Sequence, residues 1–146
     1  MSSLPPSITI LIIDDDENIL EILGEAFKQY GLNVIKAKNG LDGWHLFKSQ
    51  EPEIILTDIW MPGIDGEELS YRIRNHSPKA IIGLMTGGDT DMGMKLLNSG
   101  IANYFFRKPF AISYVCKSLI ENSRPHEPSH EPAIEEYNHG WINYFK

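Results

Sequence analysis

The stretch ILIIDDDENIL, residues 10–20, joins four consecutive apolar residues to three consecutive aspartates. The apolar residues belong to a β-branched run that is too short for a helix, which predicts a buried strand over 7–13. Asp14, Asp15 and Asp16 then follow the carboxyl end of that strand, where adjacent carboxylates repel one another and resist the loss of water. Three charges at this position need a physical reason, which the rest of the sequence provides.

The bulk composition is that of an ordinary globular domain. The chain has 146 residues, 42% of them hydrophobic and 23% charged, and is long enough to bury a core. Its net charge of −7 argues against direct binding to nucleic acid. The lone Cys116 cannot form an internal disulfide, and no Cys or His spacing predicts structural zinc. No apolar run is long enough for a membrane span and no signal peptide pattern is present, so we expect a cytoplasmic protein without membrane contact.

Short apolar runs alternate with helical patterns along the chain. Strands are predicted over 7–13, 32–37, 53–58, 80–86 and 103–108. Helices are predicted from Asn18 to Gly31, from Gly40 onward, near 66–75, over 89–98, and from Pro109 through Glu121. Five strands alternating with five helices predict an α/β fold, a doubly wound parallel sheet with helices on both faces. Ligands of such sheets bind beyond the carboxyl ends of the strands.

Four of the predicted strands end in residues that carry chemistry. Asp14 and Asp15 follow the first strand, and Asp58, Thr86 and Lys108 end the third, fourth and fifth. Packed carboxylates are tolerated where a divalent cation neutralises them, and hard oxygen ligands favour Mg²⁺. Together with one lysine and one hydroxyl they form a cradle for a phosphoryl group, and one carboxylate could be its acceptor. Taken singly each residue has an ordinary structural explanation, but their joint placement favours a site.

Four motifs then carry a family resemblance: ILIIDDDENIL, LTDIWMPGIDG, GLMTGG and FFRKPF. In order and spacing they resemble the receiver domain of two-component response regulators, over about residues 7–123. The resemblance implies a flavodoxin-like sheet with strand order 2-1-3-4-5. It also implies a phosphoprotein of signal transduction that receives its phosphoryl group from a sensor histidine kinase or a phosphotransfer protein. Such a chain is not an enzyme, apart from slow self-dephosphorylation.

The same resemblance assigns roles around the acids. Asp58 is the expected phosphoacceptor. Asp14 and Asp15 are the expected acidic pair that organises Mg²⁺, and the backbone carbonyl of Trp60 is expected to complete the coordination by the protein. Asp16 has no required role in the family, and we expect it to cap the first helix.

The remaining family roles concern how the signal leaves the site. Lys108 and Thr86 are expected to contact the phosphoryl oxygens. Counting back from Lys108 places Phe105 at the family's switch-aromatic position, with Tyr104 beside it, and either ring could face the active-site side. We expect Thr86 to move towards the phosphoryl group and the Phe105 ring to turn inward. This movement would change the surface of helix 4, strand 5 and helix 5, where a downstream protein target binds.

Two alternative functions stay open at this point. One is a Mg²⁺-dependent aspartyl-nucleophile phosphatase of the haloacid-dehalogenase type. That family has a second aspartate two residues after the nucleophile, whereas this chain has Trp60 there, and no cap domain fits in the length. The other is that the chain is the receiver piece of a larger transcription factor or hybrid kinase.

Residues 124–146 differ in composition from the residues before them. A Pro-rich HEP repeat predicts a linker, and a helical apolar stripe follows it, formed by Ile134, Tyr137, Trp141 and Phe145. The stripe could dock on the receiver, on a second copy of the chain as a homodimer, or on another partner. We therefore expect a receiver domain over 7–123 and a Pro/His/Glu-containing linker with a short aromatic tail over 124–146.

Overall fold

Strands and helices alternate along the whole of the described chain. The computed structural model describes residues 7–88 and 90–123. The strands are β1 (Thr9–Ile13), β2 (Asn33–Ala37), β3 (Ile54–Asp58), β4 (Ile81–Thr86) and β5 (Tyr104–Arg107). The helices are α1 (Glu17–Gln29), α2 (Gly40–Gln50), α3 (Gly66–His76), α4 (Asp91–Asn98) and α5 (Ile112–Ser123). All ten predicted elements are present in this part of the chain.

The five strands form one parallel sheet in the order β2-β1-β3-β4-β5. This is the predicted flavodoxin-like, doubly wound order. The chain leaves β1 towards β2 on one side and continues through β3 to β5 on the other, so the order reverses between β1 and β3. All five side chains of β3 are buried, because this strand lies in the middle of the sheet with helices over both faces.

Short polar side chains set the starts of three helices at one edge of the sheet. The carboxylate of Asp16 accepts a hydrogen bond of 2.9 Å from the amide of Asn18 at the start of α1. Asn39 accepts one of 2.8 Å at the start of α2, and Asp65 one of 2.9 Å at the start of α3. These caps satisfy amides that have no partner within the helix. The predicted capping role of Asp16 is confirmed.

The last helix begins later than the sequence predicts. Pro109 was expected to open it, but α5 begins at Ile112, and the amides of Tyr114 and Val115 donate to the carbonyl of Ala111. Residues 108–111 form a loop instead. The ring of Phe110 at 6.4 Å from that of Phe106 ties this loop to β5, and the first helical turn starts only beyond it.

The aromatic stripe and the linker predicted over 124–146 lie outside the described residues. The division into a receiver over 7–123 and a tail therefore stays a prediction. Among the helices that the structure describes, none has the length and apolar character needed to span a membrane.

Candidate functional site

Three carboxylates meet where the central strands of the sheet end. Asp14 and Asp15 directly follow β1, and Asp58 is the last residue of β3. Their carboxylate oxygens lie within 4.8 Å of one another. Asp14 is fully buried, Asp58 is 8% exposed and Asp15 is exposed. The cluster therefore has a buried floor and an open side from which a ligand can enter.

Lys108 provides the positive charge at this cluster. Its Nζ lies 2.8 Å from Oδ2 of Asp14 and 3.8 Å from Oδ1 of Asp58. The other oxygen of Asp14 accepts a hydrogen bond of 2.9 Å from the amide of Asp16. Both oxygens of the buried Asp14 are thus paired, whereas Asp58 has the longer contact to the lysine and an interaction with the backbone of Ile59. The structure brings together the residues that the sequence placed in one site.

The charged form of the Asp58 carboxyl is destabilised by its surroundings. Its burial raises the pKa of the carboxyl from 3.8 to about 6, the nearby charge of Lys108 opposes this rise, and Asp14 and Asp15 add to it. The protein surroundings do not fully compensate the charged form of this carboxylate. A divalent cation bound at this point would therefore stabilise the charged form of Asp58.

Thr86 ends β4 beside the cluster. Its side chain is fully buried, and its hydroxyl accepts a hydrogen bond of 3.2 Å from the amide of Gly88. Its backbone carbonyl accepts one of 2.7 Å from the amide of Lys108. The main chain therefore links the hydroxyl residue directly to the lysine of the site.

The turn after Asp58 is held close to the strand. The amide of Gly66 donates to the carbonyl of Ile59 at 2.7 Å, and a Cβ at Gly66 would lie 2.4 Å from the carbonyl oxygen of Asp58. Trp60 lies in this turn and is 49% exposed, and the expected role of its backbone carbonyl stays a prediction. The need for glycine at Gly66 was missed in the sequence, although the pair Asp65-Gly66 before a helix was its signal.

The aromatic residues of β5 divide between the two faces of the sheet. Phe105 is fully buried on the α4 side, where a Cβ at Gly93 would lie 2.5 Å from its ring. Tyr104 stacks on Phe106 with centroids 5.8 Å apart, and Phe106 contacts Tyr114 of α5. Of the two rings that the sequence left open, Phe105 is therefore the one that faces α4. Its part in switching stays a prediction.

The residues at the cluster fit Mg²⁺. Three carboxylates with oxygens this close offer the hard ligands that this ion prefers, and the exposed side chain of Asp15 leaves room for water ligands. The raised pKa of Asp58 agrees with a position where a cation would stabilise the charged form. Asp14, Asp15 and Asp58 would supply the side-chain ligands.

Comparisons with known proteins identify the family of the chain. A family model described as the response regulator receiver domain matches residues 10–120. The chain is 34% identical over 102 residues to the regulatory protein AtoC of Escherichia coli, and the match covers 69% of this chain and 22% of that protein. It is 36% identical over 97 residues to the transcriptional regulatory protein AfsQ1 of Streptomyces coelicolor, covering 66% of this chain and 43% of that protein.

A solved structure shares the fold. The response regulator receiver domain protein from Clostridium thermocellum superposes with a TM-score of 0.74 at 22% identity, covering 80% of this chain and 94% of that one. The chain spans less than half the length of the two curated relatives above, so the likeness concerns only a part of each. Family match, sheet order and site geometry agree, and the chain belongs to the response regulator receiver domain family.

Proposed function

We propose that this chain is a signalling receiver that accepts a phosphoryl group on Asp58 and transmits the change to a downstream protein. The observation that carries the proposal is the position of Asp58. It is a nearly buried carboxylate with a raised pKa, 3.8 Å from Lys108 and beside two further acids. The phosphatase alternative is not favoured, because the position two residues after Asp58 holds the exposed Trp60 and no second carboxylate.

The residues act in sequence around one transfer. A carboxylate oxygen of Asp58 forms a bond to phosphorus while the bond from phosphorus to the imidazole nitrogen of the donor histidine breaks. Lys108 donates to the phosphoryl oxygens, and the Thr86 hydroxyl holds one of them after transfer. Mg²⁺, held by the three carboxylates and the carbonyl of Trp60, would supply further neutralising charge at those oxygens. Release of the group as phosphate is slow self-dephosphorylation, not a catalytic activity on another substrate.

The donor belongs to the partners of the family. Receiver domains interact with histidine kinases or phosphotransfer proteins, and this chain offers an apolar groove next to its site. Ile19 and Ile22 of α1 line the groove together with Pro109 and Phe110, and Lys108 also lines it. A donor helix in this groove would lie beside the lysine that faces Asp58. We propose this groove as the place where the donor binds.

The output is proposed to leave through α4, β5 and α5. Phosphorylated Asp58 adds negative charge and strong acceptor oxygens near Thr86 and Lys108. A shift of Thr86 would change the packing of the neighbouring β5, including Phe105. The proposal includes no direct binding to nucleic acid or membrane. A cytoplasmic location and a homodimer stay predictions from the sequence.

The decisive experiment is incubation with an acyl phosphate donor and Mg²⁺, followed by intact-mass measurement. We expect one added, acid-labile phosphoryl group on the parent chain and none on Asp58→Asn. Asp16→Asn is the matched control, because it removes a carboxylate from the same acidic run and keeps a residue that caps a helix well. The proposal is wrong if Asp58→Asn still gains the group.

A further inference from the structure

The segment that follows Asp58 is fixed at both of its ends. We name residues 59–65 the acceptor loop. At its start the amide of Ile59 donates to the carbonyl of Met85 at 2.9 Å, and at its end the amide of Gly66 donates back to Ile59 at 2.7 Å. The first bond ties the loop to β4, and the second joins the start of the loop to the start of α3.

Ile64, the next-to-last residue of the acceptor loop, lies against the start of α2. A Cβ on Gly40 would lie 2.0 Å from the carbonyl oxygen of Ile64 and 2.9 Å from its carbonyl carbon. Protein Cβ atoms do not approach this closely, and a backbone carbonyl cannot swing aside as the end of a side chain can. Any side chain at Gly40 would therefore have to separate α2 from the loop by about 1 Å or more.

Gly40 is needed for space and not for its backbone angles. The glycines with positive φ in the described chain are Gly31, Gly63 and Gly100, and Gly40 is not among them. The start of α2 is also fixed independently, because Asn39 caps it through the amide of Asp42 at 2.8 Å. The close approach to Ile64 is thus the feature that requires a glycine here.

We propose that Gly40 is a positioning residue for the phosphoacceptor site. Its missing side chain lets α2 approach the loop at Ile64, two residues before Gly66, and Gly66 packs directly on the backbone of Asp58. This inference rests on the proposed function, since it assigns Gly40 to the same site from a different helix.

A control on the same helix distinguishes a positioning role of Gly40 from a general effect on stability. Gly43 lies one turn along α2, where a Cβ would meet Cδ1 of Ile13 at 2.6 Å. Gly43→Ala therefore crowds the core beneath α2, and the three atoms nearest to the added methyl group all belong to Ile13 of β1. Both variants should lower stability by overpacking, but only Gly40→Ala should disturb the site.

The experiment is a Mg²⁺ titration of the full chain followed by the amide NMR shifts of residues 58–66, beside urea unfolding of each variant. We expect Gly40→Ala to raise the half-saturating Mg²⁺ concentration about tenfold or more. Gly43→Ala should stay within about twofold of the parent, since it leaves the loop in place. The rate of phosphorylation by an acyl phosphate at subsaturating Mg²⁺ should fall in the same order.

Equal half-saturating Mg²⁺ concentrations for the two variants would overturn the positioning role of Gly40. Should Gly40→Ala be unfolded in buffer, trimethylamine N-oxide favours the compact state and the same titration in that osmolyte decides. A parent chain that takes up no phosphoryl group would reject the proposed function. A parent that is phosphorylated, with Gly40→Ala matching Gly43→Ala, would reject the role of Gly40 alone.

Discussion

The ring of Phe105 occupies the space that Gly93 leaves in α4. A Cβ at Gly93 would lie 2.5 Å from both Cε1 and Cζ of the ring, and Phe105 is fully buried. Burial of a phenylalanine side chain is worth about 1.5–3 kcal/mol, and its ring has no hydroxyl that would lose a hydrogen bond. The sequence predicts that this ring turns inward when Asp58 gains charge. The recess at Gly93 favours the inward position by itself, so we expect it to hold the ring strongly.

The first prediction tests this contact. Gly93→Ala should lower the free energy of unfolding by about 1–3 kcal/mol, because the added methyl group overlaps the ring. Phe105→Leu should remove the overlap. The double variant should therefore lose about 1 kcal/mol less unfolding free energy than the two single variants lose together. Urea unfolding of the four proteins measures this coupling. Strict additivity would mean that the ring does not fill the recess in solution.

The second prediction concerns the pH dependence of stability. The pKa of Asp58 is raised from 3.8 to about 6 by burial, so between these pH values the folded chain binds more protons than the unfolded chain. Stability should therefore fall as the pH rises from about 4 to about 6 and remain lower above that range. Asp58→Asn removes this cost. In chelator it should be more stable than the parent by up to about 3 kcal/mol at pH 7, and the gain should vanish near pH 4.

Chemical unfolding at a series of pH values measures that difference. Glu121→Gln serves as the control, since it neutralises an exposed carboxylate at the C-terminal end of α5. It should give no such gain. An Asp58→Asn protein with the stability of the parent at pH 7 would show that the folded site compensates the charge of Asp58.

The third prediction concerns the pairing of Lys108 with Asp14. Lys108→Met leaves Asp14, whose side chain is 1% exposed, without its cation, and should cost about 2–4 kcal/mol of stability in chelator. Mg²⁺ should restore part of this loss, because a cation at the carboxylates replaces the missing charge. Lys117→Met, which alters an exposed residue of α5, should change stability little and respond to Mg²⁺ as the parent does. A Lys108→Met protein that Mg²⁺ does not stabilise would contradict the proposed metal site.

Much of the fold could be predicted because its signals are local. The apolar run of β1 and the caps Asp16 and Asp65 lie within a few residues of the structure they determine. The joint placement of Asp14 and Asp58 could also be predicted, because the carboxyl ends of parallel strands share one edge of the sheet. The hydrophobic pattern of the elements and the topology of a parallel sheet were sufficient to predict these features.

The differences in burial and charge pairing among the three carboxylates could not be predicted in the same way. Three aspartates at one edge of the sheet suggest equal crowding, but Asp15 is exposed, Asp14 pairs with Lys108, and burial raises the pKa of Asp58. These differences depend on contacts across 94 residues of sequence. The approach of Gly40 to the acceptor loop depends likewise on tertiary packing, which the local sequence around Gly40 or Ile64 does not indicate.

The fourth prediction tests the groove proposed for the phosphoryl donor. Ile22 of α1 lines this groove and is 50% exposed. Ile22→Glu places a charge where an apolar donor surface would pack, so the rate of transfer from a phosphorylated histidine kinase or phosphotransfer protein should fall about tenfold. The rate with a small acyl phosphate should stay unchanged, because such a donor needs no groove.

Leu41→Glu is the matched control for this change. Leu41 is also 50% exposed, but it lies on α2 outside the groove. It receives the same charge at the same exposure, so a general effect of added negative charge would appear equally in both variants. We expect Leu41→Glu to keep the parent rate with both donors. Equal losses for the two variants with the protein donor, or a loss for Ile22→Glu with the small donor as well, would contradict docking at the groove and move the donor interface elsewhere on the receiver.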